Sequence, residues 1–495
     1  MRLFRDFPLV ISLITFYCVL NNSAQGQNTF ELLLKNPADE NLFHACESTD
    51  GYIFVGDRGH WSPACRPLLI ETDKAGNIRQ NKEYPIVDSL SMFFSILQYQ
   101  ENAPIIIEAI APDPVSGDLT LIRFNKIDSS FNRTYTKLFA MPADYRIASC
   151  KARIINNQIV IFGFNYSIDQ ITPRPYILIF DMEGNLLKQN MFENHYGLVY
   201  DLLMTPDSQS YLLFVAGFGG STTGGIFKLD TNLVLDTIYA MPLNIEFRTN
   251  GKWLTTNTLL IAGDLSVPDK EITEDREDRD LAITTTDSIF NSGYHTYLGK
   301  VDTFDVAGSL YSLDFITPKE IFFAGTANMD LLPFIDIPSW YMLNSLDSNL
   351  NLNWQKYYGG DAYYNLWGML ATQDGGCLMY GTRYDAATQN EERDLYILKV
   401  DENGLYTGIE ESPGKQAHDA IIYPNPGCND LNIQSGPQIS GAQFTLYDMK
   451  GNSLLEEKIN TTEIRINTSK LPPGIYPWNI VFKNKVVESG KWVKE

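Results

Sequence analysis

Tyr176-Ile177-Leu178-Ile179-Phe180-Asp181, followed by Met182-Glu183-Gly184, is the stretch on which the reading of this chain turns. Its apolar residues suit a buried strand. Asp-x-x-Gly suits a tight turn, because Asp caps its own turn and Gly takes φ > 0. The same chemistry recurs at Asp73 with Gly76 and at Asp401 with Gly404. Working outward, strands of this kind end at Asp73, Asn125, Asp181, Asp230, Asp287, Asp347 and Asp401. Before each lies another apolar strand ending in a small residue: Gly56, Ala109, Gly163, Gly217, Gly263, Gly325 and Gly381. The fifth and sixth units match least well.

Seven strand-and-turn units at a period of about 54 residues predict an all-β, seven-bladed β-propeller over residues 27–411. Each four-stranded blade buries its faces only against its neighbours, and ring closure protects the edges. Phe30-Glu31-Leu32-Leu33-Leu34-Lys35 precedes the first unit as Trp354-Gln355-Lys356-Tyr357-Tyr358 precedes the last. The N-terminal strand is therefore expected to complete the last blade. Cys46 and Cys65 flank one hairpin and form the best candidate disulfide.

Tight turns fall on one face of such a ring and long connections on the other. Long connections on a rigid scaffold are where binding usually resides. The candidates there are Arg58, His60 and Trp61 in the first unit, Tyr384 and Asp385 in the last, and Tyr196 in a link between units, with Tyr145, Arg146, His195, Tyr363 and Tyr364 in similar links. Aromatics on a polar face suit sugar stacking or peptide contact. The stretch 264–280 holds eight acidic and three basic residues; calcium is the one cofactor it could suit, although it lacks ordered ligand spacing, and no other cofactor or metal is expected.

The ends of the chain carry a different message. Arg2 and Arg5 precede an apolar run from Phe7 to Leu20, and Ser23-Ala24-Gln25-Gly26 offers small residues for cleavage. That pattern is a secretory signal peptide over residues 1–26, and nothing after it is apolar and long enough for a membrane helix. Residues 412–418 read as a linker. Beyond it come Tyr423-Pro424-Asn425-Pro426, Leu431-Asn432-Ile433, Tyr447-Asp448-Met449-Lys450-Gly451, Leu471-Pro472-Pro473-Gly474-Ile475-Tyr476 and Lys491-Trp492-Val493. In this order the motifs resemble the type A C-terminal sorting domain of the type IX secretion system of Bacteroidota-type bacteria, over residues 419–495. The resemblance implies a small Ig-like β-sandwich, with Pro424, Asn425, Pro426, Gly451, Gly474, Tyr476, Lys491 and Val493 as its signal. It implies the general secretion machinery and the type IX translocon as partners, and a secreted or cell-surface destination. Pro477 departs from the pattern and implies an edge strand. The repeats also resemble bacterial extracellular propellers with Asp-Gly-Gly turns, here Asp374-Gly375-Gly376.

Net charge is −22, and residues 419–495 carry eight acidic and eight basic side chains, so the whole excess lies on the rest. Nucleic acid is an unsuitable partner for that body. No nucleophile elbow, His-Glu-x-x-His, P-loop or dinucleotide fingerprint occurs. The expected function is a non-enzymatic module binding a glycan or a protein. An extracellular hydrolase or lyase on the same scaffold is the alternative.

Overall fold

The computed structural model describes residues 29–494 apart from 61, 85–88, 99–103, 168–169, 218–223, 267–277, 301–302, 331, 333, 389–391, 407–419, 424–426, 436–439, 449–451 and 483–484. The signal-peptide and linker readings, Trp61, Pro424, Asn425, Pro426 and Gly451 lie outside the described residues.

Seven antiparallel blades follow in chain order. The first is Glu40–Glu47, Gly51–Arg58, Arg66–Asp73 and Ile78–Glu83, and the second Leu90–Leu97, Ile105–Ala111, Leu121–Ile127 and Arg133–Ala140. The third has a divided inner strand, Tyr145–Ile147 and Lys151–Ile155, then Gln158–Ser167, Gln170–Phe180 and Leu186–Asn190. The fourth is Leu198–Met204, Ser210–Ala216, Gly225–Asp230 and Leu235–Tyr239, and the fifth Phe247–Thr255, Thr258–Ser266, Arg279–Thr286 and Ser292–Leu298. The sixth also has a divided inner strand, Val306–Ala307 and Leu313–Asp314, then Ile321–Ala327, Trp340–Leu346 and Leu352–Gly359. The seventh is Tyr363–Ala371, Cys377–Tyr384, Asp394–Val400 and, returning from the N-terminus, Phe30–Leu34. That last strand pairs antiparallel with its neighbour from Phe30↔Lys399 to Leu34↔Leu395. The inner strand of the first blade then packs on the seventh, and the ring is closed.

The turn after each third strand is built one way. Asp347 shows it: Oδ1 accepts the N–H of Asn349 at 2.8 Å and of Asn351 at 2.9 Å, and Oδ2 accepts the Asn351 amide at 2.8 Å. The third residue after the Asp is left-handed in all seven blades: Gly76, Phe131, Gly184, Leu233, Phe290, Leu350 and Gly404. Where it is apolar, its own side chain is buried against the preceding blade. Where it is Gly, a ring of the preceding blade fills the space: a Cβ on Gly76 would lie 2.4 Å from Phe30, and one on Gly404 2.8 Å from Trp354. The strain of a left-handed Phe or Leu is thus offset by burial, and each blade is keyed into the next.

Two readings need correction here. The second blade does not close at Asn125. Its strand runs on to Ile127 and the turn is made by Asp128, while the Asn125 amide turns inward to the Glu108 carboxylate at 3.0 Å. Polar Arg123 and Lys126 break the apolar run that marks the other strands. Cys46 and Cys65 are both free. Cys46 pairs with Ile53 and Arg66 with Arg58, so the two cysteines stand about five residues apart along a shared strand, roughly 17 Å, well beyond the about 6 Å a disulfide spans.

The C-terminal segment forms two sheets around one core. One holds Ala420–Tyr423, Asp430–Ser435 and Glu463–Asn467; the other orders Ser453–Ile459, Ala442–Tyr447, Gly474–Phe482 and Lys485–Lys494. Leu431, Ile433, Phe444, Ile480 and a fully buried Trp492 fill the space between them. Tyr476 donates to Pro472 O at 2.6 Å, and buried Lys494 to Thr468 O at 2.5 Å. Pro477 lies on an interior strand and not at an edge. The neighbour Ala442–Tyr447 pairs only from Trp478 onward, so the missing N–H breaks no ladder on that side. Gly474 opens the strand Gly474–Phe482, where a Cβ would meet only the Tyr476 ring, at 3.8 Å.

Phe30→Ala should cost about 3–5 kcal/mol, read from urea unfolding, and adding Gly76→Phe should restore part of it by filling the hollow from the turn side. A second expectation concerns acid. The carboxyls of Asp73 and Asp347, held first by the Asn amide four residues on, and those of Asp128 and Asp287, held first by the backbone N–H there, sit below the ordinary aspartate value. Their stabilisation is complete above about pH 4 and lost as pH falls through the lowered values. Replacing the four with Asn should flatten the pH dependence of the unfolding midpoint between about pH 2 and 4.

Candidate functional site

The long connections and the links between blades share one face, as the strand order requires, and the channel through the ring opens there. Its bore is shaped by irregularities in the inner strands. One extra residue bulges from the inner strand at Phe43, Phe94, Tyr200 and Trp367, and one more at Arg248-Thr249, where two residues stand opposite Gly263. A bulge pushes an inner-strand carbonyl against the next strand. A Cβ on Gly56 would lie 1.9 Å from Asn41 O, and one on Gly381 2.1 Å from Asn365 O. The small residues that mark the repeat answer to this approach.

The bulged rings meet one another. Phe43 stacks on Phe94 at 5.2 Å and meets Trp367 edge-on at 5.4 Å. In the sixth blade the inner strand breaks at 308–312, and this segment crosses the bore. Leu310 N–H donates to Trp367 O of the seventh blade at 2.8 Å. Ser312 N–H and Oγ–H both donate to Asn250 Oδ1 of the fifth, at 2.6 and 2.9 Å. His44 of the first blade stacks on Tyr311 at 4.6 Å. Lys151 of the third donates to Leu310 O at 2.5 Å and to Tyr200 O at 2.6 Å, with its ammonium 4.7 Å from the Tyr311 ring centre. One short segment thereby ties blades one, three, five and seven across the axis and plugs the channel. Burial pushes the Lys151 ammonium down to about 7 and the His44 ring, whose Nδ1 accepts the Ile96 N–H, down to about 3.

The residues singled out from sequence lie elsewhere. Arg58 and His60 flank the seam between the seventh and first blades, where Arg58 pairs with Glu40 and Glu83 and His60 Nδ1 meets Asp57 Oδ2 at 2.6 Å. Tyr384 and Asp385 lie instead toward the sixth blade and its link to the seventh. Tyr384 is buried against Phe334 of the sixth blade, ring centres 5.4 Å apart, so it is not the open stacking surface expected. Asp385 pairs with Arg383, which also holds Asp361 at 2.9 Å. Arg393 grips Asp39 through two bonds of 2.8 and 2.6 Å across the seam. Tyr196 is half-buried in the link from the third to the fourth blade, with Arg174 5.5 Å from its ring centre; it does not join the others. Tyr363 and Tyr364 are buried, and Arg146 pairs with Asp118. Of the stretch named for calcium only the ends are described, and there Asp264 is buried between Arg248 and Arg279. Among the described residues no group of three or more His, Cys, Asp or Glu is arranged to hold a metal. The plug was missed: Lys151-Ala152-Arg153 reads as an ordinary strand end, and the only signal was the poor match of the sixth unit.

Comparison with known proteins gives one match of sequence. Residues 421–495 match the family model described as the secretion system C-terminal sorting domain. This segment is a sorting domain. The protein is therefore exported, to the cell surface or beyond it, and interacts with the secretion system that reads the domain. No curated protein sequence matches the chain. Solved structures similar in shape include a member of the DUF4221 family from Bacteroides vulgatus (9% identity, 75% of this chain and 98% of that one, TM-score 0.34). PorZ, a surface component of the type IX secretion system of Porphyromonas gingivalis, matches at 11% identity over 92% of this chain and 75% of its own, TM-score 0.22. The β-propeller domain of the Trilobed protease from Pyrococcus furiosus matches at 12% over 75% and 95%, TM-score 0.34. No helix among the described residues is long and apolar enough to cross a membrane.

Lys151 offers a test of the plug. Unfolded, a lysine keeps its proton to about pH 10.4; in the plug it releases it near 7. Between these values the unfolded chain binds one proton more, so stability rises with pH. Wild type should gain on Lys151→Met as pH goes from 7 to 9, measured by urea midpoints.

Proposed function

We propose that the propeller of this exported protein is a non-enzymatic binding module for a glycan or a protein, engaged on the long-connection face. One observation carries the reading: the charged candidates of this face are spent on one another. Arg58 with Glu40 and Glu83, His60 with Asp57, Arg383 with Asp361 and Asp385, and Arg393 with Asp39 neutralise each other and brace the connections. A general acid or base must instead be within reach of its substrate. What the pairs supply is a rigid surface, the property that lowers the ordering cost of binding.

The hydrolase or lyase alternative has one observation in its favour. Burial raises the Glu40 carboxyl to about 7, a value suited to acid–base work. That side chain is 1% exposed and lies behind Arg58, which places it as a structural partner.

The full exported chain should bind one class on a glycan and polysaccharide array saturably and release no new reducing ends from it. Product release that disappears in Glu40→Gln would establish the alternative; binding only to a protein partner would leave the module and exclude the glycan.

A further inference from the structure

Strained backbone collects at one place on the long-connection face. Among the described residues, eleven other than glycine have positive φ. Four are the apolar turn residues described above, and Asn156, Asn157 and Ser208 make tight turns between inner strands and their neighbours. Of the remaining four, Leu243 and Asn244 lie in the link between the fourth and fifth blades and Arg248 in the bulge just after it, each at φ 50–55°. Strain that no hairpin requires tends to mark a functional site.

This link walls a groove of about 440 Å³, within the range of small-ligand sites. Val215, Ala216, Met241 and Ile245 make it apolar, and Gly224 and Gly225 let the strands close beneath it. A Cβ on Gly225 would lie 2.3 Å from Tyr239 O. Two polar side chains stand on its lining, Asn244 and Glu246. Asn244 is exposed, and its amide makes no hydrogen bond among the described residues. Glu246 Oε2 is fixed by Arg279 at 2.9 Å and Ser266 Oγ at 3.1 Å, and no bond to Oε1 occurs among the described residues. Arg279 is itself held over the Phe247 ring at 5.0 Å and bonded to Asp264 at 3.2 Å, and Arg248 faces the same carboxylate at 3.3 Å. Two arginines thus meet two carboxylates. The groove offers a positioned acceptor whose charge is already answered, so it suits an uncharged donor of hydrogen bonds better than a cation.

We infer that this groove binds one or two neutral sugar residues, with hydroxyls on Asn244 and Glu246 and the apolar ring face on Met241 and Ile245. The inference rests on the glycan form of the binding-module reading.

The test uses the full chain with a panel of neutral mono- and disaccharides (glucose, galactose, mannose, xylose, N-acetylglucosamine and their β-linked dimers), followed by calorimetry and saturation-transfer NMR. One sugar should bind saturably. Asn244→Gly should weaken it at least tenfold and yet raise the unfolding midpoint, since glycine accepts φ 55° without strain; a merely structural Asn244 would leave binding unchanged. Exposed Ala240→Trp should block the groove with the fold intact. Glycan binding that survives both variants overturns the groove and leaves the module standing. Binding of no neutral sugar, on the panel or on the array, overturns the groove and the glycan reading together.

Discussion

A ring of sheets must end where it begins, and here five residues enforce that. Phe30–Leu34 form the outer strand of a blade whose other three strands lie at the opposite end of the propeller. Without them the seventh blade would present an unpaired edge, and Gly76 of the first blade would face the empty space that Phe30 fills. The salt bridge of Arg393 with Asp39 and the bond of Tyr396 with Glu31 reinforce the seam. The residues beside the seam inherit their positions from this closure, since Glu40 N–H reaches Arg393 O only because the first blade has been drawn against the seventh.

The centre of the ring is organised by a second device. Seven inner strands of regular geometry would line a bore; bulges at Phe43, Phe94, Tyr200 and Trp367 instead turn side chains into it. The broken inner strand of the sixth blade supplies the last piece, held by a buried lysine that meets two carbonyls and a ring. Taking that charge out of water is costly. What it secures is the position of a segment that touches four blades at once.

How much of this could be read from the chain follows from the range of the forces involved. The second and third strands of the blades are continuous apolar runs closed by Asp, so repeat count, fold and closure strand were legible. The inner strands were not, because Glu40–Glu47 mixes polar and apolar residues around a bulge whose register depends on the partner strand, and Lys151–Ile155 carries charged Lys151 and Arg153 at its start. Asn125 was misplaced where charged residues interrupt the pattern. Tyr384 looked open because Phe334, the ring that covers it, arrives from another blade. The sorting domain was legible almost whole, since its motifs are local, yet the place of Pro477 inside a sheet depends on how far a neighbouring strand extends.

The closure strand also has a consequence for the order in which the molecule is made. Glu31 and Tyr396 are 365 residues apart, and the sorting domain starts some twenty residues beyond the seventh blade. A chain synthesised from its N-terminus holds Phe30–Leu34 without its partner until the seventh blade has been made, and contacts this distant form slowly. A product broken off anywhere before the seventh blade lacks the means to close and, by the same cut, the passport to leave. Closure and export thus both depend on the part of the chain that is made after the sixth blade.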